Sequence, residues 1–352
     1  MKILELLDNA IQQHASDVHI TVGLPPMMRR NGELIKMTDT VLSPKDCEDI
    51  VEQMLVPKQK EILTEKGELD FSFSEKKVGR FRSNIYKQRG SYGIALRVVP
   101  MSAPTIDALN LPPILKNLSM KQRGLILVTG PTGSGKSTTL AAMINHMNYN
   151  RNAHVITIED PIEYLHKHNK SMINQREVGN DTNSFGNALR AALRQDPDVI
   201  LVGEMRDLET ISTAITAAET GHLVLSTLHT VGAIKTTDRI IDVFPPYQQQ
   251  QVRIQLASVL EGIISQQIIP RADGKGRVGA FEILVATPAI RNVIREGKTH
   301  QLITSLETGA KYGMNTMDSA LIKLYRDGII DDENLRKYAI DIEMINKQVG
   351  YY

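Results

Sequence analysis

The sequence predicts an α/β protein, in which a parallel sheet covered by helices on both faces follows a smaller α+β domain. The length of 352 residues exceeds the usual size of one hydrophobic core and favours two domains. After residue 124, short continuous apolar runs alternate with helical stretches, which is the pattern of buried parallel strands. Before residue 100, strand-like segments instead alternate apolar and polar residues, as expected for a sheet with one solvated face.

The α+β domain is predicted over residues 1–99. An Asn31-Gly32 pair interrupts an extended segment and indicates a hairpin. The elements expected in chain order are a first helix, strands over 17–20 and 27–36, helices beginning at Pro44 and Pro57, and strands over 68–73, 80–88 and 92–99. Residues 100–113 contain four prolines and are predicted to be a linker.

The larger domain is predicted over residues 114–352. Its expected strands lie at 125–128, 154–158, 199–202 and 223–225, and its clearest helices at 136–148 and 208–219. Beyond Pro245 the chain is expected to be mostly helical, with two more strands over 263–269 and 277–284.

The composition limits the class of partner and the compartment. The chain has 41 Lys and Arg against 40 Asp and Glu, so its charge does not attract nucleic acid. Cys47 is the single cysteine, which excludes an intrachain disulfide and a four-cysteine zinc site. No segment approaches the ~18 uncharged apolar residues of a membrane-spanning helix, and no secretion signal is visible. We therefore expect a cytoplasmic protein without zinc, a nucleic-acid partner or direct membrane insertion.

Residues 130–137 fit the phosphate-binding pattern G-x-x-x-x-G-K-[ST]. The segment follows a predicted strand and opens a predicted helix, as this loop requires. Glycines let backbone N–H groups face phosphate oxygens, Lys136 reaches the terminal phosphates, and Ser137 offers its hydroxyl to Mg²⁺. The sequence therefore predicts a P-loop ATPase rather than a plain glycine-rich turn. The predicted ATP-binding residues are Gly130, Thr132, Gly133, Ser134, Gly135, Lys136, Ser137 and Thr138.

Carboxylates follow the strand predicted at 154–158. Glu159, Asp160 and Glu163 lie just beyond its apolar residues, around a proline. Because the carboxyl ends of strands face the ligand crevice of an α/β sheet, these acids are candidates to orient the attacking water. The alternative is a solvated strand-to-helix loop.

A second acid, Glu204, follows the strand predicted at 199–202. Gly203 occupies the position where the Mg²⁺-ordering aspartate of a P-loop ATPase is usual. We therefore predict Glu204 as a metal or water ligand and place the catalytic base among residues 159–163. An ordinary loop carboxylate is the alternative for Glu204.

The strand predicted at 223–225 runs into hydroxyl groups and His229. A γ-phosphate sensor would need such a group, although a lone histidine is often structural. His166 and His168 have no carboxylate or cysteine at ligand spacing, and we expect both to face solvent.

Three arginines lie on neighbouring strands of the first domain. Period-two alternation places Arg80 and Arg82 on one face, and Arg97 lies on the next strand. Surface salt bridges are one explanation. The other is that these guanidinium groups complete the phosphate site of a neighbouring subunit in a ring.

With these residues placed, the chain resembles the secretion ATPases, and among them the retraction motors of type IV pili. The resemblance extends over nearly the whole length. The segments that carry it are 15–19, 23–27, the phosphate loop, an aspartate box at 158–164, a glycine-bearing Walker B segment at 200–207, a histidine box at 220–230, and residues 289–296, 311–314 and 316–318. The segment 289–296 matches a motif of the retraction motors, with Val293 in place of leucine.

The resemblance implies a homohexamer with a PAS-like N-terminal domain and a RecA-like motor domain. It implies that Glu163 is the catalytic base, that Glu204 is the Walker B acid and holds Mg²⁺ with Ser137, and that Arg82 and Arg97 act across subunits. His229 and His222 are implied to couple hydrolysis to movement, together with Glu159 and Asp160. The implied partner is the inner-membrane pilus platform protein, which would dock the ring at the inner face of the cell membrane.

The lack of a four-cysteine zinc insertion favours retraction over extension in this comparison. A pilus-extension or type II secretion ATPase remains the alternative, and a nucleic-acid translocase or a nucleotide-gated binding protein fits less well.

The segment 289–296 is predicted to be a helix with an output surface. Thr287 can cap it, Pro288 suits its first position, and Gly297 can end it. The proposed output residues are Ala289, Ile290, Arg291, Asn292, Arg295 and Glu296. We expect changes at Arg291 and Arg295 to leave folding intact and to abolish retraction. A core-packed helix without a special role is the alternative.

Overall fold

The computed structural model describes residues 2–350, which form two compact units. The first unit contains residues 2–102 together with the short segment Pro161–Leu165. The second contains residues 103–160 and 166–350. Glu163 therefore packs with the first unit, whereas Glu159 and Asp160 belong to the second.

The first unit is built on a six-stranded antiparallel sheet with the strand order β3-β2-β1-β6-β5-β4. Its elements are α1 (Ile3–Gln12), β1 (Asp17–Ile20), β2 (Met27–Arg30), β3 (Glu33–Lys36), α2 (Pro44–Met54), α3 (Pro57–Lys66), β4 (Glu68–Glu75), β5 (Gly79–Gln88) and β6 (Ser91–Val99). Apolar residues of α1 and α2 form one core with Phe81 and Ile85 of β5. The predicted hairpin and both proline-initiated helices are confirmed.

The second unit alternates strands and helices before it ends in a series of helices. Its elements are α4 (Ile114–Ser119), β7 (Gly124–Thr129), α5 (Lys136–Asn150), β8 (His154–Glu159), β9 (Met172–Glu177), α6 (Phe185–Ala192), β10 (Val199–Val202), α7 (Leu208–Glu219), β11 (Leu223–Leu228), α8 (Ala233–Asp242), α9 (Pro246–Val259), β12 (Leu260–Pro270), β13 (Arg277–Val285), α10 (Pro288–Arg295), α11 (Leu302–Thr308), α12 (Met317–Arg326), α13 (Asp332–Tyr338) and α14 (Ile342–Val349), with 3₁₀ turns at Thr299–Gln301 and Ala310–Tyr312.

The sheet of the second unit has the strand order β13-β12-β7-β11-β10-β8-β9. Its pairs are parallel except for β12 with β13. Every residue of β7, β10 and β11 is buried, because helices cover both faces of the sheet. The predicted α/β class and its apolar strands are confirmed. The prediction omitted β9, a polar edge strand that lacks the apolar run expected of a buried one.

Strand β12 carries a bulge at Glu261. Leu260 pairs with Leu125 of β7 and Gly262 pairs with Ile126, so that one residue of β12 has no partner between them. The carboxylate of Glu261 binds Lys121 at 2.9 Å, just before β7, and Arg291 of α10 at 2.7 Å.

Among residues 2–350, no helix combines the length and the apolar character that crossing a membrane requires.

Candidate nucleotide-binding site

The loop between β7 and α5 has the backbone geometry that a phosphate cradle needs. Gly130, Gly133 and Gly135 have φ values of 142°, 80° and 84°, which side chains other than glycine rarely adopt. A Cβ on Gly130 would lie 2.2 Å from the backbone oxygen of Gln266, so the loop lies too close to β12 for any side chain there. The loop then opens α5, a helix of 15 residues whose amino end favours anions.

Lys136 is folded against this loop. Its side chain is buried, and Nζ donates to the backbone oxygens of Gly130 at 2.9 Å and Pro131 at 3.0 Å. These bonds hold the ammonium group at the loop. Ser137 follows in the first turn of α5, where a hydroxyl can reach a phosphate-bound Mg²⁺.

Within the described residues, His, Cys, Asp and Glu side chains do not gather in groups of three that could enclose a metal ion.

The order of the strands shows how far His229, Glu204 and Glu159 lie from β7, the strand that precedes the phosphate loop. Going outward from β7, the neighbours are β11, β10 and β8, which lead to His229, Glu204 and Glu159. With a strand spacing of ~4.8 Å, these strand ends lie roughly 5, 10 and 14 Å from β7. His229 and Glu204 therefore lie nearer the loop strand than Glu159 does.

Glu204 and His229 are brought together. Glu204 Oε2 forms a salt bridge with Arg206 Nε at 2.7 Å and lies 3.4 Å from His229 Nε2. The Glu204 side chain is 18% exposed, so it combines restricted access to solvent with two cationic or potentially cationic neighbours. A carboxylate in this position can bind a metal-coordinated water or respond to a phosphate near His229.

A steric constraint explains why glycine occupies position 203. Its N–H donates to the backbone oxygen of Ile158 at 2.8 Å, and an added Cβ would lie 3.1 Å from that oxygen. The end of β10 therefore runs too close to β8 to accept an aspartate without movement.

Glu159 is held in a separate network at the end of β8. Its Oε1 accepts hydrogen bonds from Thr157 Oγ1 at 2.6 Å and Gln175 Nε2 at 3.2 Å. Asp160, next in the chain, is exposed. The adjacent acids thus differ: Glu159 accepts from Thr157 and Gln175, whereas Asp160 lies in solvent.

Glu163 lies beside the arginines in the first unit. A cavity of about 230 Å³ is lined by Arg82, Arg97, Glu163 and Tyr164, among others. Arg82 and Arg97 are directly opposite each other on β5 and β6, where two like charges destabilise the pair unless an anion lies nearby. Arg97 Nε also binds Asp17 Oδ1 at 3.0 Å, so the salt-bridge explanation accounts for part of its charge.

His222 lies at the opposite end of β11 from His229. Its Nδ1 is 2.9 Å from the backbone oxygen of Ala217 at the end of α7, and the structure does not bring it to Glu204. The expectation that His166 faces solvent is wrong: the side chain is half-buried, and burial lowers its pKa to about 4. His168 is exposed, as expected, and its Nδ1 accepts from the Ile173 N–H.

Helix α10 has the predicted ends, with Thr287 accepting a hydrogen bond from Ile290 N–H and Gly297 at φ 71°. Its two arginines differ. Arg291 is half-buried and donates to the backbone oxygens of residues 257, 258 and 286 and to Glu261. Arg295 is exposed and donates to Asn292. The expectation that Arg291 can change without affecting folding is therefore corrected. Its side chain caps the carboxyl end of α9 by donating hydrogen bonds to the backbone oxygens there.

Sequence reasoning missed the buried polar residues of β12, of which Gln266 lies beneath the loop. Ser265, Gln266 and Gln267 are buried in β12, within a segment interpreted only as a strand. The available signal was three consecutive polar residues between isoleucines, because buried polar groups require partners.

A parallel sheet, a glycine loop at the carboxyl end of β7, a buried lysine and acids on neighbouring strands together define a P-loop ATPase. The chain belongs to the type II/IV secretion system protein family, whose model matches residues 2–335.

The chain is similar over most of its length to pilus motors. It is 48% identical over 339 residues to the "Type IV pilus retractation ATPase PilT" of Pseudomonas aeruginosa, which covers 96% of this chain and 98% of that protein. It is 46% identical over 344 residues to the "Twitching motility protein" of Neisseria gonorrhoeae, with 98% and 92% covered. The crystal structure of the "Pilus Retraction Motor PilT and Bound ADP" matches with a TM-score of 0.92 and 50% identity, over 99% of each chain.

Proposed function

We propose that this chain is a homohexameric motor ATPase that couples MgATP hydrolysis to the retraction of type IV pili. The observation that carries the proposal is the phosphate loop within a chain that is similar, over 96% of its length, to a pilus retraction ATPase. The motor would act in the cytoplasm, at the inner face of the cell membrane, against the pilus platform protein.

The N–H groups of the phosphate loop and Lys136 bind the phosphates and hold them against the amino end of α5. Bound Mg²⁺ would neutralise phosphate charge, and Ser137 and Glu204 are the residues proposed to hold it and its water. Glu163 is the proposed base that accepts the proton of the attacking water.

Arg82 and Arg97 are proposed to stabilise the charge that develops on the transferred phosphoryl group. The family resemblance implies that they act on the phosphate site of a neighbouring subunit, and that assignment remains a prediction. The shared cavity supports a narrower proposal, in which both arginines serve the same phosphate as Glu163 of their own chain. His229 contacts Glu204 and is proposed to report the state of the phosphate site.

The proposal is tested in piliated cells that lack this protein. If it retracts pili, these cells should keep abundant pili that extend but do not shorten under fluorescence microscopy. Wild-type protein should restore shortening, and Glu163→Gln should not. Bald cells would instead indicate extension, and a secretion defect with normal pilus dynamics would indicate a type II secretion ATPase. DNA-stimulated hydrolysis would favour a translocase.

A further inference from the structure

Gln266 lies directly beneath the phosphate loop, although it is distant from it in the sequence. Its side chain is 2% exposed. Its amide nitrogen donates to the backbone oxygen of Ser134, and its amide oxygen accepts from Thr139 Oγ1 at 2.9 Å. One residue of β12 therefore binds both the middle of the loop and the first turns of α5.

The orientation of this amide follows from its partners. The backbone oxygen of Ser134 can only accept a hydrogen bond, so the NH₂ group of Gln266 must face it. The remaining amide oxygen then faces the hydroxyl of Thr139, which can donate. Both halves of a buried amide are thus paired, as buried polar groups require.

This contact controls the direction of a loop N–H group. A trans peptide bond is planar, and its C=O and N–H point in opposite directions. Because Gln266 holds the Ser134 carbonyl toward β12, the N–H of Gly135 in the same peptide points away from β12. Binding of a phosphate by such a loop depends on N–H groups that face the anion rather than the protein interior.

The backbone of β12 adds a second constraint. A Cβ on Gly135 would lie 3.2 Å from Gln266 Nε2, and one on Gly130 would lie 2.2 Å from Gln266 O. Gly130 and Gly135, the first and last glycines of the loop, therefore both pack against Gln266.

We propose that Gln266 is a positioning residue for nucleotide binding: it fixes the Ser134–Gly135 peptide so that the loop is ready to accept phosphate. This rests on the nucleotide site of the proposed function, and it is independent of what the motor moves.

The neighbouring Gln267 provides a matched control. It is 9% exposed and also uses its amide nitrogen to bind a backbone oxygen, that of Tyr338 at 3.2 Å. Its partner lies in α13, away from the loop. Replacing either glutamine by methionine keeps an unbranched side chain of similar length. The change removes both buried hydrogen bonds of the Gln266 side chain and the bond from Gln267 to Tyr338.

The test measures binding of MgADP to purified full-length protein, with unfolding temperature measured in the absence of nucleotide. We expect Gln266→Met to raise the Kd for MgADP about tenfold, which corresponds to ~1.4 kcal/mol. Gln266→Glu should raise it further, because a carboxylate oxygen replaces the donor beneath Ser134. Gln267→Met should also lower the unfolding temperature, though less than Gln266→Met because it loses one hydrogen bond instead of two, while its Kd stays at the wild-type value.

Hydrolysis provides a second readout. We expect KM for MgATP to rise in Gln266→Met while kcat changes by less than about threefold, since loop preorganisation acts mainly on binding. Should Gln266→Met fail to fold, Thr139→Val removes the other hydrogen bond at nearly constant volume and should raise the Kd severalfold.

A wild-type Kd in both Gln266→Glu and Thr139→Val would overturn the proposal, as would an equal rise in Kd for Gln267→Met. Normal pilus retraction in cells that lack this protein, with these Kd differences intact, would count against the proposed function and leave the role of Gln266 standing.

Discussion

If the chain assembles into the proposed ring, mixed rings of two inactive variants can show whether Arg82 and Glu163 serve one phosphate site. Both residues line the same cavity of the first unit, and Arg82 lies opposite Arg97 in the sheet. If the cavity acts as one group, Arg82→Ala and Glu163→Gln damage the same contribution to the site. A ring that mixes them then has no undamaged cavity, and activity should not recover.

The alternative predicts a measurable recovery. If the arginine acts across subunits while Glu163 acts on its own loop, random 1:1 mixing leaves about one quarter of the sites intact in a ring. An arginine on a developing phosphoryl charge contributes ~10³-fold or more to turnover, so each variant alone provides a low background. A surface ion pair, by contrast, is worth about 1 kcal/mol or less.

The assay combines two differently tagged variants, purifies rings that carry both tags, and measures ATP turnover. Turnover near one quarter of the wild-type value would refute the shared-cavity reasoning. A mixture of Arg82→Ala with Lys136→Ala then shows whether the cavity and the phosphate loop of one site come from the same chain. About one quarter of the wild-type turnover should recover if they come from different chains, and none should recover if they come from one chain.

Asp17→Asn is the control for Arg97, since it removes the ion pair but keeps the guanidinium. If Asp17→Asn lowers turnover as much as Arg97→Ala does, the role of Arg97 is structural.

Four further variants test separate parts of the structure. Lys136→Ala should abolish tight MgADP binding in calorimetry, because it removes a cation that two loop carbonyls hold at the loop, and normal affinity would refute the site. Arg291→Ala should lower the free energy of unfolding in urea by about 2–3 kcal/mol, because it leaves the carbonyls at the end of α9 unpaired. Arg295→Ala should change that free energy by about 0.5 kcal/mol or less and still block retraction in cells. His166 has a pKa lowered to about 4, so its neutral form stabilises the fold above pH 6.5, and this stability is lost as the pH falls from 6.5 toward 4. Between pH 7 and pH 5 the loss should be about 2 kcal/mol and should be absent in His166→Gln; an identical pH dependence of both proteins would contradict it.

Much of the second unit could be predicted because its signals are local. The buried strands are continuous apolar runs, and the phosphate loop is a contiguous motif whose glycines need unusual backbone angles. The proline that opens α10 and the threonine that caps it are likewise adjacent in sequence. Strand β9 was missed because its polar residues satisfy neither the buried nor the alternating pattern.

Contacts between distant segments could not be predicted. Nothing near residue 163 indicates that five residues pack with the first unit while their neighbours on both sides belong to the second. Gln266 contacts a loop that lies more than 130 residues earlier in the chain. The burial of Arg291 depends on carbonyls released by the end of another helix, which helical periodicity within α10 cannot reveal.

The bulge at Glu261 determines how this fold tolerates changes in length. Side chains of a strand alternate between two faces, so a shift of one residue exchanges the face of every later side chain. At the bulge, one residue of β12 is left without a partner on β7, directly after the end of α9. The residues of β12 from Gly262 onward therefore keep their pairing with β7 whatever the number of residues before the bulge. A chain of this fold can therefore gain or lose a residue at this junction and keep Gln266 under the loop. The same change after Gly262 would place Ser265 or Gln267 there instead.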